Sequence, residues 1–265
     1  MDFIKVSSAG IGTKKYTEKT SSSANIAAPT IRVDNVADLE AAVAAQLAGQ
    51  TIEVVGDIVL TESLPILLAA TGGRLKGING ATITGAAAAT EAILINPAVA
   101  TETFEYSIED FGSIKGGANK IGLHVLNVAT TKKVNVYIKN TNLNDNGTGV
   151  ALNYVNSDGS NAIRIYMDGN GHEIESIAGT PKDAGDRLLI RGYNIEENMV
   201  IAVVDVAATF MFTSCKLPHE GITGGHATNV ISVNSCWTEE TAFVPVIPDA
   251  SDFPGAFSPT IYPAS

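Results

Sequence analysis

The sequence predicts an all-β chain wound as a solenoid of parallel strands, and three observations carry that expectation. The stretch Thr51 to Gly85, TIEVVGDIVLTESLPILLAATGGRLKGINGATITG, reads as short strands at Ile52 to Val55, Ile58 to Leu60, Arg74 to Lys76 and Ala81 to Thr84. The turns between them are too short to hold a helix. Parallel strands ordinarily need a crossover of a dozen or more residues, and a coil that wraps sideways and stacks on the next turn escapes that need. Ile52 and Val54, Ile58 and Leu60, and Ile83 are apolar at every second residue, which suits a wall with one dry face and one wet face. Finally, segments recur: NVYIKNTN (135–142) aligns with RIYMDGNG (164–171) at a spacing of 29, placing Tyr137 over Tyr166.

Residues 1–33 are rich in Ser, Ala, Thr and Gly, and SSSANIAAP reads as an extended arm. Its apolar anchors are Phe3, Ile4 and Tyr16, the expected partner-docking residues at this end. Residues 34–50 read as a capping helix: Asn35 caps the first turn, Asp38 favours the helix dipole, and Gly49 stands where the chain leaves the helix. Val36, Leu39, Val43 and Leu47 share one face, so the helix is expected to plug the open end of the solenoid.

Residues 51–240 form the expected solenoid. Alternation continues through Ile93 and Ile95, Phe104, Tyr106 and Ile108, Val134, Val136 and Ile138, Ile163, Ile165 and Met167, Leu188 and Ile190, and Val200, Ala202 and Val204. FMFTSC (210–215) and ISVNSC (231–236) match at a spacing of 21 and close the series. Stacking would set Cys215 and Cys236 one above the other at roughly the 4.8 Å strand spacing. Two cysteines make no disulfide framework, so a buried, reduced pair is expected. A repeat wandering between about 21 and 29 residues is too irregular for fixed-length repeat proteins and favours a right-handed parallel β-helix with loops of variable size.

Residues 241–265 differ from the body. Five of the ten prolines fall here, with Phe253, Phe257, Ile261 and Tyr262 among them, so the segment reads as an extended strap that buries its aromatics on its own body or on a partner.

Charged residues are 17% of the chain against about a quarter in average proteins, and the net charge is −11. Affinity for phosphate backbones comes mainly from Lys and Arg, so a nucleic-acid partner is not expected. The first thirty residues carry four lysines against two acids, which would let one copy's arm lie on a neighbour's acidic body. Met1-Asp2-Phe3-Ile4-Lys5 leads into polar residues rather than a secretory apolar region, and there is no unbroken apolar run of spanning length. Synthesis in a cytosol, without a membrane partner, is the expectation.

The order of helix, TIEVVGDIVLTESLPI and GGRLKGINGATITG resembles the start of the pectate-lyase-like superfamily of right-handed parallel β-helices, over about residues 34–240. The superfamily includes polysaccharide lyases and hydrolases, phage tailspikes, adhesins and virion decoration proteins, so the resemblance implies a fold and leaves the function open. A lyase would need carboxylates for Ca²⁺ and a basic residue to abstract a proton. The candidates are Asp110, Lys115, Asp145, Asp168, Arg164 and Arg191, which show no common register in the sequence. The hydrolases of the fold use carboxylate pairs on adjacent coils; there is no Asp-Asp pair, and GNGHEIE (169–175) resembles their Gly-His-Gly element only in passing. His124, His172, His219 and His226 are scattered and read as wall or loop residues. NLNDNG lacks the distal Glu of a calcium loop, and there is no phosphate-binding or dinucleotide motif.

The expectation is therefore a non-enzymatic virion structural protein without a cofactor: a capsid decoration, cement or head-fibre protein of a tailed phage, assembled in the host cytoplasm. Its partners would be itself, as a trimer, and a major capsid or other virion protein, held through the terminal arms. The alternatives are a tailspike or receptor-binding β-helix that grips surface glycans, and a polysaccharide lyase or hydrolase.

Overall fold

Strand follows strand with a single helix near the start, in a computed structural model that describes residues 30–66, 72–97, 103–117, 120–127, 133–144, 149–157, 161–197, 199–201, 208–217, 222–224, 229–236 and 255–257. The elements are β1 (Ile31–Val33), α1 (Val36–Ala44), β2 (Thr51–Val59), β3 (Leu64–Ile66), β4 (Gly72–Thr84) and β5 (Glu91–Ile95). Triplets follow: β6 (Phe104–Glu109), β7 (Ser113–Lys115) and β8 (Ile121–Asn127); β9 (Val134–Lys139), β10 (Leu143–Asn144) and β11 (Val150–Asn156). Next come β12 (Ile163–Asp168), β13 (Glu173–Ile174) and β14 (Ile177–Thr180), then β15 (Arg187–Arg191), β16 (Asn194–Ile195) and β17 (Met199–Ile201). The last strands are β18 (Thr209–Thr213), β19 (Ile222–Gly224), β20 (Asn229–Asn234) and β21 (Gly255–Phe257).

Among the described residues every strand pairing is parallel, and the strands make two sheets of fourteen and seven. In the larger sheet the long strands β2 and β4 feed two arms. A long arm runs β4, β6, β9, β12, β15, β18, β20, β21, and a short arm runs β4, β7, β10, β13, β16. The smaller sheet runs β3, β5, β8, β11, β14, β17, β19. From β2 to β17 each pass of the chain visits the long arm, the short arm and the smaller sheet and lays each strand beside its counterpart one pass earlier; after β18 the short arm is met only by the bridge of Lys216 with Asn194.

The expected inward residues are inside: Ile52, Val54, Ile58, Leu60, Ile83, Phe104, Tyr106, Ile108, Val136, Ile165 and Ile190 are all buried. At about 25 cal/mol per Å² of apolar surface removed from water, this continuous column dominates the favourable side of folding. Tyr154 and Tyr193 fit because the chain leaves out side chains opposite them: a Cβ on Gly179 would lie 2.2 Å from the Tyr154 ring, and one on Gly169 2.4 Å from the Tyr193 ring.

The register bears out Tyr137 over Tyr166 and Phe210 over Ile231. The step between paired residues is wider than expected, reaching 33 from Gly72 to Glu105 against 21 from Phe210 to Ile231. Val200 is a correction: it faces out at 54% exposure, while Met199, paired with Ile177, is the inward residue.

α1 starts as expected, with the Asn35 side chain accepting from the Asp38 N–H at 2.9 Å. It ends sooner. Leu47 lies beyond the helix and is 60% exposed, and Gly49, at φ +71, serves the turn into β2 instead of the helix exit. The buried residue after the helix is Gln46: its Nε2 donates to the Gln50 and Arg74 carbonyls at 2.8 and 3.1 Å, and its Oε1 accepts from the Tyr106 hydroxyl at 2.9 Å. Leu39, Ala42 and Val43 supply the apolar part of the lid over the first strands.

Candidate functional site

Outward-facing side chains of the long arm form rows up the stack, one residue per strand. The row Arg32, Glu53, Lys76, Glu109, Lys139, Asp168, Arg191 alternates in sign at every step. Opposite charges facing each other on neighbouring strands are worth about 0.2–1 kcal/mol per pair, and like charges destabilise. Glu109 is the best embedded member, only 13% exposed, with Arg74 Nε at 3.5 Å and Lys139 Nζ at 3.8 Å from its Oε1.

The adjacent row is Arg74, Ser107, Tyr137, Tyr166, Leu189, Met211. The Tyr137 and Tyr166 rings stack at 5.1 Å and 12°, and Met211 is 40% exposed. Burial, then the charge of Glu105, pushes the Tyr137 hydroxyl above its usual range. The third row is Glu105, Asn135, Arg164, Arg187, Thr209, in which two arginines sit directly over one another. Arg164 Nε is buried without a hydrogen-bond partner. All five arginines of the chain lie on this face. A shallow groove at its N-terminal shoulder is lined by Thr51, Arg74, Glu105, Ser107 and Tyr137.

The bend from long arm to short arm requires left-handed backbone, supplied by Asp110, Asn140 and Asn170 at φ 63, 47 and 49, and by Ser214 and Ser235 near the end. Their side chains form a polar ladder. Asn140 Nδ2 donates to Asp110 Oδ1 at 3.1 Å, and His172 lies between Asn140 Oδ1 (2.8 Å from Nε2) and Asn142 Oδ1 (2.9 Å from Nδ1). Lys76 Nζ is 3.7 Å from Asp110.

A second polar cluster closes the opposite corner, between β14 and β15. Buried Asp186 accepts from the backbone N–H groups of Ile163, Lys182 and Asp183 at 2.7, 2.8 and 3.0 Å, and from Asn156 Nδ2 at 2.9 Å. Burial raises its carboxyl above the usual value, and these hydrogen bonds oppose that.

The lyase candidates fall as follows. Asp110 belongs to the bend ladder, Lys115 to the short arm beside Asn144, and Asp145 lies outside the described residues. Asp168 sits between Lys139 and Arg191 in the alternating row, and Arg164 lies between Asn135 and Arg187. Of the six, Asp168 and Arg191 share one row, a register that the linear sequence conceals, and the other described ones do not join it. His172 is a rung of the ladder and His124 a wall residue of the smaller sheet, while His219 and His226 lie outside the described residues.

Cys215 and Cys236 are free and adjacent, the Cys215 N–H donating to Cys236 Sγ at 3.4 Å. Cys236 is only half-buried; the shared contact with Cys215, then burial, pushes its thiol up. Among the described residues no group of three or more His, Cys, Asp or Glu could hold a metal ion, and no helix is long and apolar enough to cross a membrane.

Of the expected docking residues, Phe3, Ile4, Tyr16, Phe253, Ile261 and Tyr262 lie outside the described residues. Phe257 lies in β21, whose backbone continues the long arm by pairing with Asn229 to Ile231. No family model, curated protein or solved structure matches the chain.

Proposed function

We propose that this protein is a non-enzymatic structural component of a virus particle, of the capsid-decoration, cement or head-fibre kind carried by tailed phages. In this reading its passes wind as a right-handed parallel β-helix, and segments 1–33 and 241–265 attach it to copies of itself and to a shell protein. The observation that carries the structural half is the alternating row on the long arm. Two of the residues that a lyase would commit to substrate, Asp168 and Arg191, face opposite charges in the next strand, which gives them a task in holding strands in register. The particle half rests on the resemblance of residues 34–240 to a superfamily that includes virion decoration proteins, and on the two long end segments. Added contact area from such segments raises occupancy through effective concentration.

Particle occupancy tests this. Virions carrying the full chain should be decorated, and deletion of residues 1–30 or 258–265 should strip the protein from them while leaving its circular dichroism unchanged. Undiminished occupancy after both deletions, or release of unsaturated oligosaccharides from an acidic polysaccharide, sinks the reading.

One observation favours a glycan-binding alternative. The stacked Tyr137 and Tyr166 lie beside Arg164 and Arg187, an apolar surface next to cations that suits an anionic sugar. Glycan-array binding that is lost in Tyr166→Ala would promote it over shell attachment.

A further inference from the structure

The smaller sheet carries a different kind of outer face. Its outward residues include Leu94, Leu126 and Val155, the cross-strand pair Ile121 and Val150, and Val200, which is 54% exposed. Lys, Arg and Asp are missing from the outward positions of β5, β8, β11 and β14, and the one carboxylate, Glu91, is matched within the sheet. Ser63 Oγ donates to Glu91 Oε1 at 3.3 Å, and His124 Nδ1 lies 3.6 Å from Oε2. Both His124 ring nitrogens are buried without a hydrogen-bond partner.

We propose that this face is where a second copy of the chain packs. Charge argues for a copy over other occupants. At −11 the chain repels itself wherever its acidic surface meets its own acidic surface, and a face with one carboxylate held within it lowers that cost for two identical patches brought together. Size fits an interface at the small end: the 32 residues of the seven strands, at ~4.8 Å by ~3.3 Å each, span ~500 Å², against the ~800 Å² each partner contributes to a standard interface. The proposal rests only on the self-association part of the reading above, and not on the particle.

Sedimentation velocity of the full chain over a wide concentration range tests it. The native chain should sediment as an oligomer, and Val200→Lys should weaken association at least about tenfold, the usual effect of placing a charge in an apolar contact. Val155→Thr, which keeps the branched shape and the strand, should weaken it less, and Tyr166→Ala on the larger sheet should not change it. A native chain that is monomeric throughout overturns the proposal, as does an oligomer indifferent to both smaller-sheet variants or dissociated only by Tyr166→Ala. A monomer that begins to associate once residues 241–265 are removed also overturns it, because the chain's own strap is then the occupant. An oligomer that fails to decorate particles leaves this proposal standing and removes the particle reading; a decorating monomer does the reverse.

Discussion

The two sheets are built on the same inward rule and differ only outside. Phe104, Tyr106 and Ile108 in the larger sheet, and Ile93, Leu123 and Leu152 in the smaller, all point into one core. Outside, the long arm alternates Arg32, Glu53, Lys76, Glu109, Lys139, Asp168 and Arg191, whereas the smaller sheet presents Leu126, Val155 and Val200. The inward pattern is therefore enough to stack the strands, and the outward pattern is free to do other work. On the long arm it reinforces register, since exchanging one rung would set carboxylate over carboxylate. On the smaller sheet it does nothing for register that the core does not already do, so its apolarity calls for a different explanation, which the proposed packing of a second copy offers.

The largest expected effect comes from breaking what both faces share. Asp186 ties the corner where the chain passes from β14 to β15, and Asp186→Asn would turn an amide N–H₂ toward groups that are themselves donors. Leaving buried donors unpaired should cost about 2–4 kcal/mol in urea unfolding, and both outer faces should be lost in a single transition. A change below about 1 kcal/mol would mean that the corner is not a common anchor.

Next is a reversal confined to the charged face. Glu109→Lys would place a cation between Lys76 and Lys139 and beside Arg74. The expected loss is about 1–3 kcal/mol, partly recovered in high salt because screening weakens repulsion between the more exposed partners. Val155→Thr on the other face should stay within about 0.5 kcal/mol and show no salt dependence. Equal losses from the two variants would erase the distinction between the faces.

How much of this is legible in the sequence follows from how parallel stacking works. A constant spacing becomes a contact, so Tyr137 with Tyr166 and Cys215 with Cys236 can be read directly from repeated segments. The charge row cannot. Its members come from strands whose steps vary from 21 to 33 residues, so no linear motif announces it, and Asp168 and Arg191 look unrelated until the register is known. Val200 illustrates a second limit: in MVI every residue is apolar, so alternation does not choose the phase, and the pairing of Met199 with Ile177 does. Gln46 illustrates a third, a polar residue taken into the core because two carbonyls and a tyrosine hydroxyl await it. The terminal docking residues depend on what the ends meet, which no periodicity encodes.

A pH experiment separates the faces again. Burial holds His124 below its ordinary value of 6.5, against the pull of Glu91. The folded state therefore binds fewer protons than the unfolded chain just below that pH, and stability present above about 6.5 declines as pH falls toward the folded value. The melting temperature should drop between pH 7 and 5.5, by less than the Glu109 reversal costs, and His124→Gln should flatten that drop. A slope that His124→Gln leaves unchanged would place the acid sensitivity elsewhere.

The smallest expected effect sharpens what the charged face is for. Stacked rings are worth about 0.5–1.5 kcal/mol beyond their buried area, so a double-mutant cycle of Tyr137→Ala and Tyr166→Ala should show coupling near the lower end, both rings being partly exposed. If the stack serves only register, that coupling is its whole contribution, and added acidic oligosaccharide should not shift the melting temperature of the native chain. A ligand-dependent rise that vanishes in Tyr166→Ala and in Arg164→Ala, whose Nε is unpaired, would instead make the row a binding surface. The alternating charges beside it would then be the frame that keeps two tyrosines and two arginines in line for a sugar chain, and the two faces would divide between an external ligand and a second copy.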